Sequence, residues 1–159
     1  MITFPAVFDI TQHPFGQGAL TSDGVQWSTE VDTTTANTDV VVGTAEIDAR
    51  PKAKMSEVEF SLTAAFKAVS SATADLIWKW QARQVGKTNW VDLHAAVTET
   101  NIGTTYVERT RKGYYPVTPG KLEDIPIEVR LILQCNEANE GRAKIKNSSY
   151  ARLVWSSEG

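Results

Sequence analysis

Residues Ala74 to Leu93 read ADLIWKWQARQVGKTNWVDL, and this tryptophan-rich stretch predicts the centre of the fold. Apolar and polar side chains alternate through its first half, as in a half-buried strand, and one side of the pattern carries Leu76, Trp78, Trp80 and Ala82. Gly86 to Asn89 suits a turn, and Trp90 to Leu93 begins a returning strand. Because aromatic side chains bury large areas, we expect this β-hairpin, which holds three of the five tryptophans, to form the centre of a core.

Alternating segments recur on both sides of the hairpin. Glu57 to Phe66 and Ile127 to Leu133 show the pattern most clearly, and Val40 to Ile47 and Tyr150 to Trp155 are further candidate strands. Thr104 to Lys112 alternates with few apolar residues, so we expect a strand near a sheet edge or facing a partner. Short strands at close intervals, without a convincing helix, predict an all-β chain folded as an antiparallel, jelly-roll-like β-sandwich.

Three segments are less regular. Alanine is frequent from Leu62 to Ala74, which makes a helix the alternative there, but the serine and β-branched residues favour a strand. Gly113 to Ile125 is rich in proline and glycine and predicts a long surface loop. Residues 1–39 are interpreted as an N-terminal arm and loop that packs on the sandwich or on a neighbouring subunit, and residues 40–159 as the β-sandwich domain.

Composition excludes several classes of protein. At 159 residues, with 42% hydrophobic and 22% charged residues, the chain is expected to form one globular domain. A net charge of −3 offers no global basic field, so no nucleic-acid partner is predicted. Cys135 is the only cysteine, which excludes an intrachain disulfide, and it is expected to be buried and inert. The N-terminus lacks signal-peptide features and no apolar run is long enough to span a bilayer, so synthesis in the cytoplasm without membrane insertion is expected.

No catalytic motif is recognisable, and no enzymatic activity, cofactor or metal is predicted. The two histidines, His13 and His94, have no metalloprotease spacing, and His94 is expected to be structural. Gly86-Lys87-Thr88 lacks the context of a phosphate-binding loop. Glu57 and Glu59 share a strand face, and Glu108 lies on another strand. A glycosidase pair is the alternative to the solvated face that we expect for these carboxylates.

One loop offers oxygen ligands. Asn136, Glu137, Asn139 and Glu140 lie close together in sequence, as a calcium site requires, but they lack the spacing of a calcium-binding loop. A polar turn is the prediction, and calcium binding remains the alternative.

The sequence favours a binding function over a catalytic one, and the candidate binding residues form one short segment. Tyr114 and Tyr115 follow Arg109, Arg111 and Lys112, so aromatic platforms and charged donors stand side by side in the sequence. Aromatic residues on loops are candidate recognition elements for a glycan or a protein partner. The alternative is that one tyrosine covers the sandwich core and the other has no role.

The hairpin also carries a resemblance. Its pattern W-x-W-x-A-x(7)-W-V-D-L, from Trp78 to Leu93, resembles hairpins of β-sandwich proteins in tailed-phage virions, and the segments Thr104 to Tyr115 and Lys146 to Trp155 are in keeping with it. The resemblance extends over Glu57 to Trp155. It implies an accessory, decoration, fibre or tail component without enzymatic activity, and it transfers no catalytic residues.

Two functions follow as hypotheses. The first is a non-catalytic structural or assembly protein of a phage virion, which forms a homo-oligomer and contacts other virion proteins through edge strands and the N-terminal arm. The second is a carbohydrate-binding module or adhesin-type domain that uses Tyr114 and Tyr115 to hold a surface glycan.

Overall fold

The computed structural model describes residues 5–6, 27–47, 55–84, 86–116 and 127–156. These residues form eleven β-strands and no helix. The strands are β1 (Pro5–Ala6), β2 (Val31–Asp32), β3 (Val40–Ile47), β4 (Met55–Ala68), β5 (Leu76–Gln84), β6 (Val91–Asp92), β7 (Val97–Glu99), β8 (Val107–Pro116), β9 (Ile127–Cys135), β10 (Gly141–Ile145) and β11 (Tyr150–Ser156). The described part of the chain thus contains no helix that could span a membrane.

The strands form two antiparallel sheets that pack face to face, which confirms the predicted β-sandwich. In sheet I, β4 lies between β8 on one side and β10 and β11 on the other, while β2 pairs with β10 and β1 with β11. In sheet II, the order is β3-β9-β5-β6, with β7 beside the other half of β5. The connections β3–β4, β4–β5, β7–β8, β8–β9 and β9–β10 all cross from one sheet to the other, as in jelly-roll-like arrangements.

The core forms where the alternating strands face each other. Leu76, Trp78 and Trp80 on β5 are buried, as are Ile127, Val129, Leu131 and Leu133 on β9 and Phe60, Leu62 and Phe66 on β4. Trp78 stacks on Phe66 across the two sheets, with ring centroids 4.9 Å apart. Each of these large side chains contributes about 1.5–3 kcal/mol through burial, so the three strands supply most of the apolar stabilisation.

The predicted hairpin is present, but its third tryptophan is not part of this core. β6 pairs with β5 through Gln81 opposite Asp92 and Ala82 opposite Val91. Trp90 is half-buried and contacts Arg83 and Arg130. Both arginines alternate with buried residues on their strands, so Trp90 lies on the outer face of sheet II.

Two other expectations need correction. The helix alternative for residues 62–74 is wrong, because β4 continues to Ala68. The loop expected from Gly113 is wrong for residues 113–116, because β8 extends to Pro116. Gly113 permits this pairing: a Cβ at its position would approach Phe60 Cζ at 3.2 Å, so a larger residue would displace the ring beneath it.

The N-terminal arm is described only in part. Trp27 bridges to Lys146, and β2 pairs with β10 through Val31 opposite Ala143. Thr33 is fully buried, and its backbone N–H donates to the Gly141 carbonyl oxygen at 2.8 Å. Most of the remaining arm lies outside the described residues, so a domain boundary at residue 39 and an exchange of the arm between subunits stay predictions.

Candidate functional site

Strand β8 carries all five residues that the sequence singles out for binding. It pairs with β4 over ten positions, from Val107 opposite Phe66 to Pro116 opposite Glu57. Among the described residues, β4 is its only neighbour, so β8 forms an edge of sheet I. The opposite edge of β8 therefore presents backbone donors and acceptors that no described strand uses.

The strand geometry divides these residues between two faces. Lys112 lies opposite Ser61 and Tyr114 opposite Glu59, and both point to the outer face of sheet I. Arg109 and Arg111 alternate with them and lie on the other face of the strand. Tyr115 occupies the β8 position opposite Val58. The five residues are consequently neighbours in sequence but do not form one cluster.

Their environments differ as well. Arg109 donates from Nε to Glu99 Oε1 at 2.7 Å and from Nη2 to Glu99 Oε2 at 3.3 Å, which ties β8 to β7 on the other sheet. The hydrogen bond from Arg109 holds the pKa of Glu99 below its usual value. Lys112 is exposed, and Tyr114 exposes 61% of its surface. Lys112 and Tyr114 are thus available to a partner, whereas Arg109 is already engaged.

A second surface, on the outer face of sheet II, is organised around Trp90. The Cζ atom of Arg130 lies 3.9 Å from the centroid of the Trp90 ring, and that of Arg83 lies 4.4 Å from it. Arg130 donates from Nε to Gln81 Oε1 at 2.9 Å, and Gln81 donates from Nε2 to Asp92 Oδ1 at 2.8 Å. These contacts form a network of planar side chains that runs across β9, β5 and β6 on the outer face of sheet II.

A third cluster, on the outer face of sheet I, combines lysines with aromatic rings. Lys144 Nζ lies 4.2 Å from the centroid of Tyr106 and 4.7 Å from that of Trp27. Lys67 Nζ also lies near this ring, 5.1 Å from the centroid of Tyr106. Burial, followed by the neighbouring Glu30 carboxylate, raises the pKa of Tyr106 well above its usual value. Because Trp27 belongs to the segment preceding β2, this cation–π cluster attaches that segment to sheet I.

The carboxylates considered for catalysis do not share one environment. Glu59 lies opposite Tyr114 in the outer-face register, and Glu108 accepts a hydrogen bond from Lys146 Nζ at 3.1 Å. For Glu57 the structure gives the register, opposite Pro116. The solvated face expected for Glu108 agrees with its exposed position.

Two glutamates of the 136–140 loop accept hydrogen bonds from the neighbouring 70–73 segment. Glu140 accepts hydrogen bonds from the backbone N–H groups of Ser70 and Ser71, both at 2.8 Å. Glu137 accepts from the hydroxyls of Ser71 and Thr73, at 2.9 and 3.1 Å. In the described ranges, no group of His, Cys, Asp and Glu residues has the arrangement of a metal site. The carboxylate oxygens of Glu137 and Glu140, two of the candidate calcium ligands, thus accept hydrogen bonds from protein donors.

Cys135 is buried as expected, and His94 accepts a backbone hydrogen bond. Cys135 is fully buried, and burial raises the pKa of its thiol, which keeps it protonated and unreactive. His94 Nε2 accepts a hydrogen bond from the backbone N–H of Trp80 at 3.0 Å.

The network around Trp90 was not anticipated from the sequence. Arg83 and Arg130 each occupy an outward position in a strand that the alternation predicts well, but they lie 47 residues apart. Only the pairing of β5 with β9, in which Gln81 lies opposite Arg130, brings them to the same tryptophan. The strand alternation places each arginine at an outward-facing position. It does not indicate that both arginines contact Trp90.

Comparison with known proteins identifies no family. No family model and no curated protein match the chain. Among solved structures, a chain in the structure of the infectious bursal disease virus Gx strain is similar, with 14% identity and a TM-score of 0.45, over 99% of this chain and 32% of that one. The enzymatically active domain of tailspike protein 4 from bacteriophage CBA120 gives 13% identity and a TM-score of 0.42, over 96% and 19% of the two chains.

A xylan-binding CBM22-1 domain from Paenibacillus barcinonensis is also similar, with 21% identity and a TM-score of 0.39, over 92% of this chain and 94% of that domain. The chain spans less than a third of the length of each of the two viral chains. At these identities and scores, the three likenesses show no specific family.

Proposed function

We propose that this chain is a non-catalytic structural protein of a phage virion, an accessory, decoration, fibre or tail component that assembles with copies of itself and with other virion proteins. One observation supports this proposal most directly. β8 is a ten-residue strand with a single neighbour in the described structure, and an open strand edge of this length is a template for pairing with another chain.

The side chains of β8 are compatible with burial in a specific protein interface. Glu108 and Arg109 already have ionic partners in Lys146 and Glu99, so burying them in an interface would leave no charge unpaired. Tyr114 offers a large exposed aromatic side chain, the residue type that often dominates binding energy at protein interfaces. The viral part of the proposal rests on the resemblance of the Trp78–Leu93 hairpin to those of tailed-phage proteins.

The proposal is tested by the mass of the full-length protein in solution. Light scattering should give a defined oligomer, and the double variant Lys112→Glu/Tyr114→Ala should associate about tenfold more weakly, since loss of an interface anchor costs about 1–2 kcal/mol. Lys87→Glu is the matched control, because Lys87 is exposed in the turn between β5 and β6. Deletion of residues 1–18 should weaken assembly further while the sandwich stays folded.

Two results would contradict the proposal. One is a chain that remains monomeric and is missing from purified virions when these are imaged. The other is binding on a glycan array that disappears in a Tyr114→Ala/Tyr115→Ala variant, which would favour the carbohydrate-binding alternative. The exposure of Tyr114 favours that second function, because an accessible ring on a sheet face can stack on a sugar.

A further inference from the structure

The outer face of sheet II is a second surface with the composition of a binding site. The strand register places its side chains in rows across β3, β9, β5 and β6. From β3 towards β6, these rows are Val41-Ile132-Lys79, Thr44-Arg130-Gln81-Asp92 and Glu46-Glu128-Arg83. Val41 exposes 44% of its surface, and Ile77, on the neighbouring row, exposes 37%. Apolar residues thus lie beside a row of planar polar groups.

Trp90 holds the two arginines of this face in a fixed arrangement. A guanidinium that stacks on an indole ring uses its flat face for that contact, so the N–H groups at its rim stay free for hydrogen bonds in the plane. Arg83 uses Nε for Glu128 Oε2 at 2.9 Å. Arg130 uses Nε for Gln81 Oε1 at 2.9 Å, and Gln81 itself is only 7% exposed. Arg130 is therefore oriented by two neighbours before any ligand arrives.

The ion pairs of the face leave Arg130 without a carboxylate. Lys79 pairs with Asp92 at 3.4 Å, and Arg83 pairs with Glu128 at 2.9 Å. Arg130 hydrogen-bonds to a neutral amide and makes no ion pair with any acidic residue among those the structure describes. Asp39 and Glu128 act on Arg130 electrostatically without pairing with it.

The protonated state of Arg130 is also destabilised in the free protein. Burial, followed by the nearby Arg83 charge, lowers the pKa of Arg130 from its usual value. An arginine keeps its proton under these conditions, so an anion bound beside Arg130 would offset the effect of burial on its charge. A carboxylate suits the guanidinium better than a single acceptor, because its two oxygen atoms match two parallel N–H groups.

We propose that the outer face of sheet II docks a protein partner, and that Arg130 receives a carboxylate side chain of that partner while the exposed Val41 contacts an apolar one. Tryptophan and arginine are among the residue types most enriched at the energetic centres of protein interfaces, and the exposed Val41 supplies the adjoining apolar contact. This surface lies on the opposite sheet from β8, so the inference does not depend on the proposed role of that edge.

The register also defines the spacing of the ligand. Val41 lies opposite Ile132, which is two residues from Arg130 on β9, so the rows of Val41 and Arg130 are about 6.7 Å apart along the strands. An extended partner segment running along β9 places side chains two residues apart at the same interval. The fitting sequence is therefore an apolar residue, any residue and an acidic residue, or the reverse order.

The test uses the full-length protein and three probes at low ionic strength. The first is the peptide acetyl-Leu-Thr-Glu-amide, the second is its neutral counterpart acetyl-Leu-Thr-Gln-amide, and the third is glucuronate. NMR titration follows the indole N–H of Trp90 and the Nε–H of Arg130. The acidic peptide should bind at least about tenfold more tightly than the neutral one, since a charge-assisted pair contributes about 1.5–3 kcal/mol.

Variants assign the effect to Arg130. Arg130→Gln should lose the tenfold preference for the acidic peptide. Arg142→Gln should keep it, because Arg142 belongs to the other sheet and pairs with Asp32. Equal binding of the two peptides, or an unchanged preference in Arg130→Gln, would overturn the inference. Glucuronate that binds as tightly as the acidic peptide would overturn it too, because the site would then recognise an acidic sugar.

Discussion

His94 closes a gap in the hydrogen-bond ladder of β5. β7 pairs with Leu76 to Trp78, and β6 pairs with Gln81 and Ala82, so the N–H of Trp80 falls between the two short strands. His94 Nε2 accepts that N–H at 3.0 Å, while Nδ1 lies 2.7 Å from the Ala95 carbonyl oxygen. This pattern requires a neutral ring with its proton on Nδ1, because a protonated Nε2 has no lone pair to accept the bond.

Replacing His94 is expected to destabilise the fold by removing this bond and the edge-on contact of its ring with Trp78, whose centroid is 5.3 Å away. His94→Ala leaves the N–H of Trp80 without its acceptor, which costs about 1–3 kcal/mol of the free energy of unfolding. His94→Gln is the matched control, because an amide oxygen can reach the position of Nε2 and should retain most of the stability. Urea denaturation measures both variants, and equal stability of wild type and His94→Ala would refute the role.

The same residue makes stability depend on pH. Burial is the main cause that lowers the pKa of His94 from its usual value of 6.5. The unfolded chain therefore binds the proton more readily, so the contribution of His94 is complete above about pH 6.5 and is lost as the pH falls through the lower pKa of the folded state. Wild type should lose more stability than His94→Gln between pH 8 and 5, and parallel profiles would contradict this.

At the scale of the element, the sequence predicts the strands that face the core and misses those that depend on their neighbours. β4, β5 and β9 alternate large apolar residues with polar ones, and burial alone specifies them. β10 reads GRAKI, and its inward residues begin with glycine and alanine, so its alternation carries little apolar signal. Proline and glycine at the end of β8 indicate a loop locally, but pairing with β4 prevails.

The sequence likewise predicts candidate sites that lie in one segment and misses those built from distant segments. The sequence predicts Tyr114 and Lys112 as candidate binding residues, and the structure places both on an accessible face. It did not predict the network around Trp90, because cross-strand contacts depend on a register that joins distant segments. Arg83, Trp90 and Arg130 are each unremarkable in their own local sequence.

Gly141 begins β10, the strand that the sequence does not predict, and shows how closely β10 approaches its neighbours. A Cβ at Gly141 would lie 2.8 Å from Thr33 Oγ1 and 2.9 Å from Cys135 Cβ, and these atoms sit close to the backbone of buried residues. Gly141→Ala is therefore expected to reduce stability by about 1–3 kcal/mol, as overpacking does in close-packed cores. Thermal and urea denaturation measure the loss.

Gly113→Ala provides the comparison within the same sheet. Its new methyl group meets the Phe60 ring at 3.2 Å, and the tip of a side chain can move further than a Cβ atom. The loss for Gly113→Ala should therefore be smaller than for Gly141→Ala. The reverse order would show that the approach of β10 to β2 and β9 is looser than the structure indicates.

At the scale of the whole molecule, acidic side chains join the crossover connections at one end of the sandwich. The β4–β5, β7–β8 and β9–β10 connections all pass between the sheets there. Asp75 Oδ1 accepts the N–H of Asn101, and Asp75 donates its own N–H to Asn136 Oδ1. Glu140 binds the 70–71 segment through two backbone N–H groups and the Ser70 hydroxyl. The two sheets are thus connected by polar contacts at this end as well as by the apolar core.

Glu140 should control the local stability of that end. The hydrogen bonds from Ser70, through its N–H and then its hydroxyl, hold the pKa of Glu140 below its usual value. Its contribution is therefore present above about pH 4.5 and is lost as the pH falls through the lower folded-state pKa. Glu140→Gln removes the charge from these bonds, so the amide protons of Ser70 and Ser71 should exchange with solvent faster than in the wild type, while those of β5 and β9 stay protected.

Glu137→Gln is the matched control, because Glu137 accepts only side-chain hydroxyls from the same segment and should leave these amide protons unchanged. Hydrogen exchange followed by NMR separates the two variants residue by residue. Faster exchange in β5 and β9 of Glu140→Gln would mean that this end of the sandwich opens together with the core. Unchanged exchange at Ser70 and Ser71 would mean that the serine–carboxylate bonds contribute nothing to holding the sheets together.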